Sequence, residues 1–301
     1  MEGSEAWKPG RDSSAARACG TLPLLHQPCR GSVDPVANPS PKPRRGIYLL
    51  PNLFTTGALF AGFYAVLAAF AGNYAGAAIA VFVAGILDSL DGRIARLTNT
   101  QSEFGVQYDS LSDMCSFGIA PAVVMYTWSL STLKVYGPLW GKVGFSAAFI
   151  YTACAALRLA RFNTQVGVVD KRYFQGLASP AAAGLLMSFL WAATEYGIDG
   201  VMAQFVAPFL TVLAGGLMVS RVRYWSFKAG PKSDKVPFAI IPLAVLVLVA
   251  LYVDTAPVLF LIAALYVISG PVMTLWGMRE VRGRREERGD ETKPGAEPPP
   301  P

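Results

Sequence analysis

The chain has 301 residues, 53% hydrophobic and 15% charged, with a net charge of +6. Soluble domains run nearer to about 45–50% apolar and 25% charged, so a soluble globular protein is excluded. Four cysteines without close metal-type pairing and a single histidine, His26, argue against a disulfide framework, a zinc site and histidine-based acid–base or phosphoryl-carrier chemistry.

Apolar runs approaching the ~20 residues that cross a bilayer recur along the chain. They predict an all-α fold, a polytopic integral membrane helical bundle of about eight transmembrane helices, at 47–70, 75–92, 109–128, 143–163, 178–196, 200–219, 236–253 and 256–277. Residues 1–45 and 279–301 are rich in Pro, Gly, Arg and Glu and lack a periodic apolar face. They are expected to be disordered cytoplasmic tails on either side of a membrane domain at 46–278. The first tail has no apolar core of the kind a cleaved signal peptide requires.

With the N-terminus inside, the outer loops are 71–74, 129–142, 197–199 and 254–255. Of the 26 Lys and Arg residues, only Lys134 and Lys142 fall there. The rest lie in tails, inner loops or inner helix ends, as the positive-inside rule requires. The net positive charge therefore reads as membrane orientation, with both termini cytoplasmic, and nucleic acid is not expected as a partner.

In the first span, Asn52 follows Pro51, and Thr56 stands one turn later, a pair suited to capping the helix start. The second span ends in "DSLDGRIAR". At ~100° per residue, Asp88, Asp91, Gly92, Ala95 and Arg96 share an arc of about 140°. After a short polar turn, "LTNTQSEF" at 97–104, the stripe recurs: Gly105, Asp109, Ser112, Asp113 and Ser116 share about 100°. Two antiparallel helices joined by that turn bring four carboxylates together near the cytoplasmic end. A carboxylate in a span is costly and implies a cavity and a partner. Arg93 and Arg96 are too few to neutralise four aspartates and Glu103. Carboxylates without a soft ligand suit Mg²⁺ or Mn²⁺, and four negative charges suit two such ions ~3.5–4 Å apart acting on phosphate oxygens. Gly92, Ala95 and Gly105 leave room for a bulky ligand, and Arg96 offers a fixed cation for phosphate. Intramembrane aspartates also mark ion pathways, but those sites lie nearer the midplane.

The set Asp88, Asp91, Gly92, Ala95, Arg96, Gly105, Asp109 and Asp113, in this spacing, resembles the full signature of the CDP-alcohol phosphatidyltransferase family. The resemblance covers about 46–277. It implies transfer of a phosphatidyl group from a CDP-linked lipid to an alcohol with release of CMP. It further implies that Asp88, Asp91 and Asp109 hold the metals with Asp113 contacting one, that Gly92, Ala95, Arg96 and Gly105 line the CDP site, and that Asp113 takes the acceptor's proton. By the same resemblance Asn52 contacts the nucleotide or metal site, a reading that stands equal to the helix-capping one.

"RRGIYLLPNLFTTG", "CSFGIAPA", "ALRLARFN" and "YFQGLASPAAAG" resemble the bacterial phosphatidylserine synthase branch, with Ala178 where proline is usual. That branch implies CDP-diacylglycerol and L-serine as substrates, a homodimer among membrane lipids, and a bacterial inner membrane location with the active site facing the cytoplasm. The core motif by itself leaves glycerol 3-phosphate, inositol phosphate and choline open as acceptors. Arg158 and Arg161, about 60° apart at the inner end of the fourth span, suit a carboxylate, or serve as inner anchors or partners of the aspartates. Asn163 is a further candidate for serine binding. Lys171 and Arg172, in the next inner loop, face either lipid headgroups or substrate phosphates.

Overall fold

Each predicted span contains a helix in the computed structural model, which describes residues 49–98, 102–165, 174–220, 222–224 and 240–291. The first span is α1, Leu49–Phe70, and the second is α2, Tyr74–Leu97. The third is composite: α3, Glu103–Asp113, a π-helical turn at Met114–Ile119, and α4, Ala120–Trp128. Then come a 3₁₀ turn at Leu130–Tyr136, α5 at Pro138–Gln165, α6 at Ser179–Glu195, α7 at Val206–Val219, α8 at Ile240–Val253 and α9 at Thr255–Glu291. Among the described residues, five segments are long and apolar enough to cross a membrane, namely Pro51–Phe70, Tyr74–Leu97, Glu103–Tyr136, Pro138–Thr164 and Thr255–Thr274. The helices α6, α7 and α8 are shorter.

Several boundaries differ from expectation. The expected outer loop 129–142 is largely helical, because the 3₁₀ turn and the first turn of α5 fill it. Helix α7 starts at Val206 rather than 200, and α9 continues past 279. The tail at 1–45, residues 292–301 and the pair Lys171 and Arg172 lie outside the described residues.

Small side chains set the helix spacing. Ala58, Ala61, Ala65, Ala68 and Ala69 of α1 are buried, as are Ala77, Ala78 and Ala84 of α2. In hydrocarbon, where lipid competes equally for apolar surface, such small residues let backbones approach and gain dispersion contact. One close approach is at Gly62 of α1, where an added Cβ would lie 2.5 Å from Ser116 Oγ and 2.8 Å from Ser116 Cα.

Hydroxyls inside the bundle find backbone partners, because lipid supplies none. Ser112 Oγ donates to Thr55 O at 3.1 Å, and Ser116 Oγ donates to Ala58 O at 3.0 Å. These two bonds tie the end of α3 and the π turn to α1. The π turn is closed by Ala120 N–H on Cys115 O, and Tyr151 of α5 donates to Phe117 O at 2.9 Å. A two-residue antiparallel pair, β1 at Phe174–Gln175 with β2 at Arg223–Tyr224, links the segment before α6 to the one after α7. Beside it, Gly176 has φ +85°, and a Cβ there would meet Met218 O at 2.3 Å, so only glycine fits.

Candidate active site

The α2–α3 hairpin carries the site. Its second helix opens at Ser102, the N-cap of α3, whose side chain accepts from Gly105 N at 3.0 Å. This aligns α3 so that Asp109 and Asp113, one turn apart, face Asp88 and Asp91.

The aspartates converge as the two stripes predict. One carboxylate oxygen from each of Asp88, Asp91 and Asp109 lies within 4.8 Å of the others. Asp88 also reaches Asp113, with which it exchanges a side-chain interaction. Asp91 is the most buried of the set, 5% exposed. Asp109 Oδ1 and Asp113 Oδ1 are buried without a hydrogen-bond partner among the described residues. A buried acceptor of this kind costs several kcal/mol, by an estimate of about 1–3 or more, unless something occupies it. Three converging carboxylates, an all-oxygen donor set and two orphaned oxygens fit a hard divalent cation. The cluster is thus able to hold a metal.

Other expected residues fall around this centre. Gly92 is exposed, and a Cβ there would meet nothing within 4 Å, so the helix face beside Asp91 is open. Ala95 is half-buried on the same face. Arg96 is exposed, and its Nε donates back to Gly92 O at 2.8 Å, so its guanidinium lies along its own helix rather than on the carboxylates. Asn52 Oδ1 would lie 3.5 Å from a Cβ on Gly105, which places Asn52 beside the opening of α3. The capping role does not hold: α1 begins at Leu49, so Asn52 lies inside its first turn, and Thr56 Oγ1 donates to Asn52 O at 2.7 Å.

On α5, Arg158 Nη1 donates to Ser179 Oγ at 3.0 Å, while its buried Nε has no hydrogen-bond partner among the described residues. Asp113 and Tyr266 lie near enough to interact with it electrostatically. Arg161, a turn further along, is half-buried. Asn163 Nδ2 donates to Ser110 Oγ at 3.1 Å, which joins α5 to α3 between Asp109 and Asp113.

Three contributors escape the sequence stripes. Thr55 is buried and donates to Asp91 Oδ2 at 2.7 Å, orienting that carboxylate from α1. Ser179 of α6 accepts a hydrogen bond from Arg158, and Tyr266 of α9 interacts with Arg158 electrostatically. Of these, only Ser179 carried a local signal, a small polar residue just before Pro180 at the start of an apolar run.

A groove of about 520 Å³ runs between α2 and α6 on the adjacent face of α2. Val81, Phe82, Ile86 and Phe117 form its apolar part, and Ser89 and Arg93 its polar part. The aspartates are not in its lining; it neighbours the site through Pro180, the residue after Ser179.

A sequence-family model described as CDP-alcohol phosphatidyltransferase matches residues 48–217, a stretch that contains the whole aspartate hairpin. The chain belongs to the CDP-alcohol phosphatidyltransferase family. Among individual relatives, it is 34% identical over 240 residues to the CDP-diacylglycerol–serine O-phosphatidyltransferase of Helicobacter pylori strain 26695, covering 79% of this chain and 96% of that one. A Methanocaldococcus jannaschii protein of the same name is 38% identical over 144 residues, 48% of this chain and 61% of that one. The archaetidylserine synthase of Methanothermobacter thermautotrophicus is 32% identical over 180 residues, 58% of this chain and 69% of that one.

Proposed function

We infer that the chain transfers the phosphatidyl group of CDP-diacylglycerol to the hydroxyl of L-serine, forming phosphatidylserine and CMP in phospholipid synthesis. The observation that carries this is the convergence of Asp88, Asp91 and Asp109 within 4.8 Å, with Asp113 and Arg158 on the adjoining side. Relatives whose names differ in the lipid agree on serine.

In this reading Asp88, Asp91 and Asp109 hold two divalent cations, Mg²⁺ or Mn²⁺, with Asp113 near one of them. Bound there, such ions polarise the donor's phosphate oxygens and offset the charge on the departing phosphate. The protein's own groups do the rest. Gly92, Ala95, Gly105 and Asn52 leave space for the cytidine diphosphate, and Arg96 swings from Gly92 O to its phosphates. The groove between α2 and α6 accepts donor hydrocarbon. Arg158, with Arg161 and Asn163, holds the serine carboxylate and aims the hydroxyl at phosphorus. The serine oxygen forms the new bond to phosphorus, the phosphoanhydride bond breaks, and its electron pair leaves with CMP. Asp113 receives the hydroxyl proton. A free aspartate, of pKa ~3.9, is a weak base toward an alcohol, so proton transfer accompanies bond formation rather than preceding it.

The distribution of Lys and Arg supports a site facing the cytoplasm, and the branch resemblance supports a bacterial inner membrane and a homodimer. Purified protein supplied with CDP-diacylglycerol, metal and separate acceptors tests the reaction. Serine should give CMP and phosphatidylserine in equal amounts. Preference for glycerol 3-phosphate, inositol phosphate or choline would overturn the acceptor assignment and leave the family chemistry.

A further inference from the structure

Arg158 is held on two sides by residues that belong to neither aspartate stripe. Its Nη1 donates to Ser179 Oγ at 3.0 Å, and the neutral phenol of Tyr266 of α9 lies near enough to interact electrostatically with the guanidinium. Ser179 is 0% exposed and has little freedom to move. The strand leading to it is anchored by Gly176 N–H on Val222 O at 2.9 Å and Leu177 N–H on Leu217 O at 3.0 Å. Tyr266 is fixed as well: Tyr224 packs against it with the rings tilted by 35° at 5.5 Å between centroids, and donates to Val267 O at 3.3 Å. A long, flexible arginine placed this way loses less entropy on gripping a carboxylate, because its rotamer is already chosen. The matched family region ends at 217, so Tyr266 lies outside it.

Resting on the assignment of serine as acceptor, we propose that Ser179 and Tyr266 are positioning residues for acceptor selection: they hold the Arg158 guanidinium beside Asp113, so that an amino-acid carboxylate is gripped while its hydroxyl faces the aspartates. Ser179 accepts one guanidinium N–H and thereby fixes which edge of the group remains for the ligand. Neither residue touches the donor.

Initial rates with purified Ser179→Ala, Ser179→Thr and Tyr266→Phe, varying serine and CDP-diacylglycerol separately, test this. Ser179→Ala should raise the KM for serine about 10-fold, the lower end of what a charge-assisted hydrogen bond supplies, and Tyr266→Phe should raise it in the same direction. The KM for CDP-diacylglycerol and kcat should stay at the wild-type values, and Ser179→Thr, which keeps a hydroxyl, should restore most of the serine affinity. Unchanged serine KM in both Ser179→Ala and Tyr266→Phe would overturn the proposal, as would an equal rise in the two substrates' KM values. A wild-type protein that takes no serine would instead overturn the assignment beneath it.

Discussion

At the scale of single residues, Thr55 and Asp113 carry the clearest tests. Thr55 Oγ1 donates to Asp91 Oδ2 at 2.7 Å from a position 4% exposed, so it fixes the direction of that carboxylate's lone pairs. Thr55→Val keeps the shape and removes the donor. Loss of such an outer partner weakens metal binding by about 10–100-fold, and titration of CMP release against Mg²⁺ should show a half-saturation point raised by that factor. An unmoved midpoint would mean that Asp91 is oriented by something else. Asp113→Asn separates binding from chemistry. Three aspartates remain for metal and donor, so CDP-diacylglycerol affinity should persist while kcat falls about 10²–10⁴-fold with the loss of a general base. The aspartates were legible in the sequence because carboxylates in a span have few uses. Thr55 was not, because a threonine in an apolar helix is commonplace and its partner lies 36 positions away.

Among elements, the helices were legible and their irregularities were not. Hydropathy reports which stretch enters lipid, and it reports nothing about whether the turns within it are α, π or 3₁₀. The third span was read as one helix from 109. It is instead α3 from Glu103, a π turn at Met114–Ile119 and α4. The π turn directly follows Asp113 and is pinned by Ser116 to α1 and by Tyr151 from α5. Those partners come from distant sequence, so no local pattern announces them. The segment entering α6 offers a test at this scale. Ala178, where the related branch usually has proline, has φ −63° and ψ 136°. That is the angle proline prefers, and the Ala178 N–H donates to no acceptor among the described residues. The missing proline therefore leaves the turn geometry intact. Ala178→Pro should stabilise the protein by about 0.4–1 kcal/mol through a stiffer unfolded chain, seen as a higher Tm in detergent with wild-type kcat. A lower Tm would show that the segment needs the freedom alanine gives it.

For the whole molecule, the decisive property is which end of the bundle faces the cytoplasm. Charge asymmetry is readable from sequence because it acts during insertion rather than through packing, and it predicts an aspartate end that faces inside. In a background lacking the native cysteines, a membrane-impermeant thiol reagent added to intact cells should label a cysteine at Thr255, exposed at the start of α9. It should leave one at Lys232 unlabelled. The reverse pattern would put the site opposite its cytoplasmic substrates.

The proposed reaction is the transfer of phosphatidyl from CDP-diacylglycerol to serine by the hairpin carboxylates acting through divalent metal. It is tested most directly by CMP release from purified protein in mixed micelles with serine, with and without chelator. CMP should form in step with phosphatidylserine, stop with chelator, return with Mg²⁺ or Mn²⁺, and be absent in Asp88→Asn and Asp91→Asn. Undiminished CMP release in chelator, or in either aspartate variant, would contradict the account.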